Sequence, residues 1–272
     1  MSLIPQLSSF LSNKSSPSVL WCYTGAGHFF EEIFDLILDL NRNSIPICFV
    51  FSNAGALVAN RYGLFWKLIR SDYRKEYAHF IFEEVVAKYN IQDLLQEANF
   101  SYTILPKDPT FSAVVALANS EIPYIIACPL TANTASKLVL GVADSLISNL
   151  LSAGRKAGKK IGILPTDSKQ QRIKTKLPTR QINPSSTTQF DITVCKFKAI
   201  EETNTAEIIY SPQYCVGCQA CVKKFPNIFS YGDKIEINVR KIDSDNIQRL
   251  CTEFTVFNSP SEILPFINQT LL

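Results

Sequence analysis

Ser18-Val-Leu-Trp-Cys-Tyr-Thr-Gly-Ala-Gly-His28 is the segment from which the architecture of this chain follows. Its first residues form an apolar run as long as a buried strand, and its glycines form a tight turn. An apolar pattern with helical spacing follows over residues 29–40. A strand, a glycine turn and a helix in this order are the first unit of a parallel sheet covered by helices. Backbone N–H groups at such a turn can also hold a phosphate group.

Strand and helix patterns alternate along the rest of the first 167 residues. Apolar runs typical of buried strands occur at residues 45–51, 102–105, 122–128 and 160–164. Helical patterns occur between them, at residues 56–70, 73–96, 110–118 and 134–151. Because strands that are buried on both faces and separated by helices pair in parallel, we predict an α/β fold with a doubly wound, Rossmann-like parallel sheet.

Three cysteines are closely spaced in Tyr214-Cys-Val-Gly-Cys-Gln-Ala-Cys-Val-Lys-Lys-Phe-Pro226. Cys215, Cys218 and Cys221 have the spacing of a loop that wraps an iron–sulfur cluster, in which each thiolate binds a separate iron. Zinc is the alternative, but zinc sites usually collect cysteines as two separated pairs. Neighbouring cysteines in one tight loop cannot all form disulfides. The spacing therefore predicts a 4Fe-4S cluster.

The fourth ligand is not in this run, because Phe225 stands where a bacterial ferredoxin has its next cysteine. Cys251, 30 residues after Cys221, is the predicted fourth ligand. Cys195 lies in an apolar pattern and is predicted to be packed, although it remains the alternative. Three ligands alone would leave a three-iron cluster or an open iron site. Residues 189–256 resemble a single-cluster ferredoxin.

The domain organisation follows from length and charge. A chain of 272 residues predicts one large or two unequal domains. From Arg155 to Arg180 there are nine Lys or Arg residues and one acid, Asp167. Such a run is usually solvated surface, and the alternative is a docking patch for an acidic electron donor or a phosphorylated cofactor. We predict a tail (1–17), a sheet domain (18–167), a basic linker (168–188) and a smaller α+β ferredoxin-like domain (189–272).

The overall composition excludes several classes of partner. The net charge of +3 is too small to indicate binding to nucleic acid or to a membrane surface. No apolar run has the length of a membrane span, and the first residues lack the basic region of a secretory signal. Eight cysteines with a cluster motif fit a reducing compartment. We therefore predict a cytoplasmic protein.

The glycine turn favours a mononucleotide over a dinucleotide. Phe30 stands where a dinucleotide fingerprint has its third glycine. The second strand ends in Ser52 and Asn53 rather than in the acid that binds an adenosine ribose. Hydroxyl and amide groups at that place suit a phosphate or a flavin ring.

Three further motifs carry a family resemblance. Ser52-Asn-Ala-Gly55, Thr131-Ala-Asn-Thr134 and Gly141-Val-Ala-Asp144 resemble the FMN-binding flavoprotein superfamily that includes phosphopantothenoylcysteine decarboxylase, over residues 18–167. The Thr-Gly-Ala-Gly-His start, the Leu-Pro-Thr-Asp167 end and the cysteine motif resemble archaeal iron–sulfur flavoproteins related to dihydromethanopterin reductase. The decarboxylases carry a Pro-x-Met-Asn clamp. The only methionine here is Met1, and His79 is predicted to lie on the surface of a charged helix, so decarboxylation is disfavoured.

The resemblance implies a set of FMN contacts. The phosphate would lie on the glycine turn, with a hydroxyl from Thr24 or Ser52, and the ring edge would meet residues 131–133. The cofactor-binding residues implied in this way are Thr24, Gly25, Ala26, Gly27, Ser52, Asn53, Thr131, Ala132, Asn133, Thr134 and Asp144. Alternatives remain for each: Ser and Thr after strands often cap helices, Asn133 could cap a helix starting near Thr134, and Asp144 could order its loop or a subunit contact.

A cluster and a flavin together predict an oxidoreductase that converts single electrons into pairs. The predicted path runs from a ferredoxin-type donor through the cluster and FMN to a pterin such as dihydromethanopterin. His28 is predicted to be a neutral flavin or substrate contact, because a helix N-terminus lowers its pKa. Asp167 is predicted to bind the amino-pyrimidine of the pterin. The resemblance also implies a homo-oligomer, trimer-based or larger. The alternatives are an electron carrier without its own substrate and a redox sensor.

Overall fold

A computed structural model describes residues 3–11, 18–83, 90–105, 111–168, 172–183, 190–205 and 207–268. Its strands are β1 (Val19–Tyr23), β2 (Ile47–Phe51), β3 (Ala78–Glu83), β4 (Ser101–Leu105), β5 (Tyr124–Leu130), β6 (Lys160–Pro165), β7 (Arg172–Lys176), β8 (Arg180–Gln181), β9 (Ile200–Glu202), β10 (Ile208–Tyr210), β11 (Phe229–Ser230), β12 (Lys234–Asn238) and β13 (Thr255–Val256). Its helices are α1 (Leu3–Leu11), α2 (Phe30–Arg42), α3 (Asn53–Arg61), α4 (Leu64–Arg70), α5 (Ile91–Glu97), α6 (Phe111–Ala118), α7 (Ala132–Val139), α8 (Leu146–Lys156), α9 (Ala220–Lys224), α10 (Lys241–Leu250) and α11 (Ile263–Asn268).

A parallel sheet forms the centre of the molecule, and within the described ranges it has seven strands in the order β13-β6-β5-β1-β2-β3-β4. Successive residues of each strand face opposite sides. Trp21 and Tyr23 point into a core shared with α2, α3, α4 and α5. Leu20 and Cys22 point into the second core, shared with α6, α7, α8 and α10. The predicted doubly wound parallel sheet is therefore confirmed.

The predicted helix over residues 73–96 is wrong. Its middle is β3, which pairs with β2 and β4, and its end is part of α5, while residues 84–89 lie outside the described ranges. Phe80 and Phe82 stack on the rings of β2, with a Phe49–Phe80 centroid distance of 5.0 Å. Burial of these aromatic side chains in a central strand outweighs the helix-forming residues around them.

His79 is accordingly not a surface residue, because only 1% of it is exposed. Its Nδ1 lies 2.7 Å from the hydroxyl of Ser101, and its Nε2 lies 2.9 Å from the hydroxyl of Thr103. The predicted helix over 134–151 is also divided. Gly141, at φ +69°, ends the turn after α7, and Ser145 caps α8.

The carboxyl edge of the sheet contains a topological switch point. β1 lies between β2 and β5, so the chain leaves β1 toward one side and later returns to its other side. The loops that follow β1 and β5 therefore meet at one edge. Ligands of open α/β sheets bind in such a crevice.

The segment after β6 adds ribbons and then returns to the main sheet. β7 pairs with β12, β8 with β11, and β9 with β10, all antiparallel. The basic stretch predicted as a linker therefore carries β7 and β8. β13 pairs with β6, and the Tyr124 hydroxyl donates to Ile267 O at 2.9 Å. The domain boundaries stay predictions, but residues 255–268 pack on the sheet domain.

The predicted tail contains α1, and residues 12–17 lie outside the described ranges. None of the helices in the described part of the chain has the length and apolar character needed to cross a membrane.

Candidate functional site

A buried threonine joins the two loops at the switch point. Thr24 is 3% exposed, and its hydroxyl donates to Pro129 O at 2.7 Å. The hydroxyl oxygen of Thr24 also accepts a hydrogen bond from the N–H of Thr131 at 2.9 Å. The hydroxyl proton is thus already used, so the predicted donation from Thr24 to a phosphate is not available in this arrangement. The residue instead fixes the spacing of the loops that follow β1 and β5.

The glycine turn after β1 is a cradle with no room for side chains. A Cβ on Gly25 would lie 2.9 Å from Ala54 Cβ, and a Cβ on Gly27 would lie 2.1 Å from the Tyr62 ring. Between them, the N–H of Ala26 donates to Thr24 O at 2.8 Å. The predicted phosphate loop is therefore packed against α3 and against Tyr62, which directly follows that helix.

The start of α3 forms the next wall of the site. Ser52 caps this helix by accepting the N–H of Gly55 at 3.0 Å. A Cβ on Gly55 would lie 2.0 Å from Tyr23 O, so the helix touches the backbone of β1. The Asn53 N–H donates to a carboxylate oxygen of Glu83 at 3.1 Å. The side-chain Oδ1 of Asn53 is buried with no partner among the described residues, which suits a ligand contact.

The start of α7 forms the opposite wall. Thr131 is its cap and accepts the N–H of Thr134 at 3.3 Å, and the two hydroxyls lie 3.0 Å apart. Helix α7 therefore begins at Ala132, and Asn133 is not the cap. Asn133 is exposed beside the switch-point crevice. Its predicted flavin contact stays a prediction.

Asp144 has a local partner. Both of its carboxylate oxygens accept from Lys137 Nζ, at 2.9 and 2.8 Å. This ion pair holds the loop between α7 and α8 against α7 and lowers the pKa of Asp144. In the structure, Asp144 orders its loop, which is one of the two alternatives that the sequence left open for it.

His28 and Asp167 are electrostatically coupled at this edge of the sheet. Burial lowers the pKa of His28, while the charges of Glu32 and Asp167 raise it by less. The direction agrees with the prediction, and burial is its largest cause. His28 Nδ1 is buried with no partner in the described part of the chain. Asp167 accepts the hydroxyl of Thr166 at 2.7 Å.

A cavity of about 420 Å³ opens beside the glycine turn. Small-molecule sites usually occupy about 300–1,000 Å³, so the space is large enough for a ligand. The start of α2 lines one side and β7 lines the other. Its lining includes Gly27, His28, Phe29, Glu32, Tyr62, Arg172, Lys174, Tyr231 and Lys234.

The cysteine loop lines a second, narrow cavity with largely apolar walls. Cys215, Cys218 and Cys221 all border it, and so does Cys195. Burial raises the pKa of Cys221 to about 12, and the neighbouring charges of Cys215, Cys218 and Cys195 contribute in the same direction. The structure therefore brings four cysteines to one place, and the fourth is not the one that the sequence predicted.

Cys251 lies elsewhere. It is exposed at the end of α10, and its thiol donates to Ile247 O at 3.4 Å. It borders a surface depression with Arg155 and Lys159, and that depression shares no lining residue with the cavity of the other cysteines. The prediction of Cys251 as the fourth ligand does not agree with this geometry, because α10 carries it to a different surface.

Within the described ranges, no group of three or more His, Cys, Asp or Glu side chains is placed so that it could hold a metal ion. Cluster thiolates bind different iron atoms, so they surround a volume rather than converge on one point. The cluster therefore stays a prediction, for which the four cysteines around one cavity would be the donors.

A glycine pair attaches the cysteine loop to the glycine turn. Gly217, at φ +65°, lies so close to the turn between α3 and α4 that a Cβ there would be 2.5 Å from Gly63 N. Gly63 follows Tyr62, whose ring lies against Gly27 and whose hydroxyl donates to Lys176 O at 2.7 Å. The cysteine loop and the glycine turn are therefore connected through Tyr62.

The Flavoprotein family model matches residues 7–228 of the chain, and this match shows its family. The chain belongs to the Flavoprotein family. This flavoprotein is 32% identical to a dihydromethanopterin reductase (acceptor) of Methanocaldococcus jannaschii, over 92% of the chain and 95% of the relative. It is 27% identical to the Methanosarcina mazei protein of the same name, over 90% and 97%.

Among solved structures, this flavoprotein resembles DmrB of Burkholderia xenovorans, which was crystallised in complex with FMN and is described as a cubic protein cage for redox transfer. The TM-score is 0.54 at 17% identity, with 95% of this chain and 97% of DmrB covered. At this identity the likeness concerns the fold.

Sequence reasoning missed several residues of this flavoprotein's site. Glu83 accepts from Asn53 N and, at 3.3 Å, from Leu146 N, and so connects α3 to α8. Tyr62 and Gly63 connect the two halves of the site. The signal for Glu83 was an acid at the end of the apolar run 78–83. The signal for Gly63 was a glycine between two helical patterns, which marks a turn or a close approach.

Proposed function

We propose that this flavoprotein is an FMN- and iron–sulfur-dependent oxidoreductase that reduces a pterin such as dihydromethanopterin. Two electrons from a ferredoxin-type donor, delivered one at a time, and two protons convert the acceptor to its tetrahydro form. The names of two relatives that align over at least 90% of the chain support this acceptor.

FMN would bind at the switch point, between the glycine turn and the starts of α3 and α7. The glycine turn at Gly25 and Gly27 brings backbone rather than side chains to this edge, and the buried Oδ1 of Asn53 has no partner among the described residues. Thr131 and Asn133 present polar groups to a flavin ring from the opposite side. FMN, when bound, exchanges electrons singly with a cluster and passes them in pairs to an organic acceptor.

The observation that carries the proposal is the contact series from the cysteine loop to the glycine turn. Gly217 touches Gly63, Tyr62 follows in the chain, and the Tyr62 ring touches Gly27. A cluster at Cys215, Cys218 and Cys221 would therefore lie close to the phosphate loop of the same chain. Such proximity supports electron transfer within one chain rather than through a separate carrier.

His28 and Asp167 are proposed to bind the pterin. Since burial lowers the pKa of His28, its imidazole is neutral at neutral pH and can form a hydrogen bond through Nδ1. Asp167 offers a carboxylate close to His28. A carboxylate can accept two hydrogen bonds from an amino-pyrimidine, so this pair would orient the acceptor.

Two partner proposals remain from the sequence. An acidic one-electron donor would dock on the basic ribbon of β7 and β12, where the side chains of Arg172 and Lys174 are 75% and 72% exposed. A homo-oligomer would cover the apolar loop after α7, where Leu140 is 73% exposed. The positive charge of the ribbon supports docking of an acidic donor. The exposed apolar surface at Leu140 supports a contact between subunits.

The test is anaerobic purification with iron, sulfide and flavin counted per chain, followed by photoreduction and mixing with dihydromethanopterin. We expect four irons and one FMN per chain, and reoxidation of the flavin within minutes, with tetrahydromethanopterin formed. Flavin that stays reduced in the presence of the pterin would contradict the proposed acceptor. A preparation with zinc and no FMN would contradict the whole proposal.

A further inference from the structure

We infer that Cys195 is the fourth thiolate ligand of the iron–sulfur cluster and that Cys251 is not a ligand. The inference rests on the proposed function, because it assigns the ligands of the cluster proposed there. It reverses the roles that chain order predicts for these two cysteines.

The position of Cys195 is the first argument. It directly follows the 3₁₀ helix Ile192–Val194 and borders the same cavity as Cys215, Cys218 and Cys221. The other walls are mostly apolar and include Val194, Phe197, Ala199, Ile200 and Val216. Four thiolates around a cavity with apolar walls form a complete cysteine ligand set for a 4Fe-4S cluster.

Backbone groups are already directed at the sulfur atoms. The N–H of Ala199 donates to Cys195 Sγ at 3.3 Å, and the N–H of Gly217 donates to Cys215 Sγ at 3.4 Å. Hydrogen bonds from backbone amides orient a ligating sulfur and stabilise its charged form. Cys195 thus has the same kind of support as Cys215. The Cys251 thiol instead acts as a donor to a helix carbonyl.

Long-range contacts fasten the Cys195 segment to the cysteine loop. Asp191, four residues before Cys195, accepts from Lys224 Nζ at 2.6 Å, three residues after Cys221. On the other side, the side-chain amide of Asn90 donates to Phe197 O and to Tyr214 O, both at 2.9 Å. The segment that carries Cys195 is therefore fixed beside both ends of the cysteine loop, as the position of a ligand requires.

Helix α10 holds Cys251 away from the cavity that the other four cysteines border. Asn246 of this helix donates to Ser136 of α7 at 2.9 Å, and Ile247 and Leu250 are buried in the core. To reach the cavity of the other cysteines, the end of α10 would have to leave this packing. This packing keeps two aliphatic side chains out of water, so leaving it is unfavourable.

The experiment compares Cys195→Ser and Cys195→Ala with the matched control Cys251→Ser in full-length protein produced without oxygen. We measure iron and acid-labile sulfide per chain and the electron paramagnetic resonance spectrum before and after dithionite. Flavin absorbance and circular dichroism report whether each variant is folded. The wild-type iron count is the reference.

We expect Cys251→Ser to keep the wild-type iron content and spectrum. The Cys195 variants should lose most of the iron or show the signal of a three-iron cluster in the oxidised state, with flavin retained. A Cys195→Ala protein with four irons and an unchanged spectrum would overturn the inference, as would iron loss in Cys251→Ser alone. A wild-type protein without iron would overturn the proposed cluster itself, so the two failures are distinguishable.

A second measurement uses the wild-type protein and does not depend on folding of the variants. Iodoacetamide should alkylate Cys251 in the native protein, while Cys195 should be protected until a chelator removes the iron. Alkylation of Cys195 at the same rate with and without iron would count against its ligand role.

Discussion

Thr24 and Thr131 are joined by a hydrogen bond of 2.9 Å from the backbone N–H of Thr131 to the hydroxyl oxygen of Thr24. The same hydroxyl donates to Pro129 O. One buried side chain thereby bonds an acceptor in β5, Pro129 O, and a donor directly after that strand, the N–H of Thr131. The two walls of the crevice are held at a fixed separation before any ligand is present, which reduces the ordering cost of binding.

Replacing Thr24 with valine should destabilise the protein by about 1–3 kcal/mol, because it leaves the N–H of Thr131 without its acceptor, while Pro129 O keeps only the backbone N–H of residue 24 at 3.3 Å. Urea unfolding monitored by tryptophan fluorescence gives the free energy of unfolding. Thr24→Ser is the control. It keeps the hydroxyl and should cost about 1 kcal/mol for the lost methyl group. Equal stability of the valine variant and the wild type would show that this hydroxyl does not join the loops.

Replacing Gly55 with alanine should weaken FMN binding and lower stability by about 2–3 kcal/mol. The new Cβ would lie 2.0 Å from Tyr23 O, so α3 must shift away from β1 and open the cradle. Flavin titration followed by fluorescence measures the affinity. Gly158→Ala is the control, because its Cβ meets nothing within 4 Å. In that variant the left-handed backbone should lower the free energy of unfolding by about 1 kcal/mol, and FMN binding should be normal.

Replacing Gly217 with alanine should separate the cysteine loop from Tyr62 while all cysteines remain. The residue has φ +65°, and its Cβ would lie 2.5 Å from Gly63 N, so we expect a cost of about 2–3 kcal/mol. Iron content should be retained, and reduction of the flavin by the prereduced cluster should slow in stopped-flow traces. The comparison is Gly232→Ala, which has φ +78° and open space around it. Unchanged transfer in the Gly217 variant would mean that this contact does not position the cluster.

Acid should destabilise the protein through His79. Burial lowers the pKa of His79 to about 4 from the ordinary 6.5. Between these values the unfolded chain binds the extra proton, so stability falls as pH drops below about 6.5 and reaches its full loss near pH 4. From pH 7 to pH 5 the loss is about 2 kcal/mol.

His79→Gln removes this titration and should flatten the same pH interval. Urea unfolding at pH 7 and pH 5 measures both slopes. The slope that remains in the variant includes His28, whose pKa is lowered in the same direction. Identical slopes in both proteins would contradict the buried, neutral state of His79.

Local patterns predicted most of the sheet. Four strands, β1, β2, β5 and β6, are apolar runs bounded by turn residues. The length of each run and its flanking residues were therefore enough to predict them. β3 was missed because its aromatic residues stand between segments rich in helix-forming residues, and only its pairing with β2 and β4 decides its state. β13 has two residues, too few to give a pattern.

The candidate site likewise has a part that local sequence predicts and a part that it does not. The spacing of Cys215, Cys218 and Cys221 is a local signal and predicts one loop. The location of Cys195 depends on Asn90 and Lys224, which contact its segment from 105 residues before it and 29 residues after it. Contacts of that kind leave no trace in the spacing of a motif. Chain order alone therefore favoured Cys251.

Strand β13 follows the cysteine loop in the chain and yet completes the edge of the sheet beside β6. A ribosome must therefore synthesise every metal-ligating candidate before the last strand can dock. In the chain, the cysteine segment lies between β6 and β13, which pair with each other in the sheet. A truncation of the chain before the cysteine segment would therefore also remove the strand at the edge of the sheet.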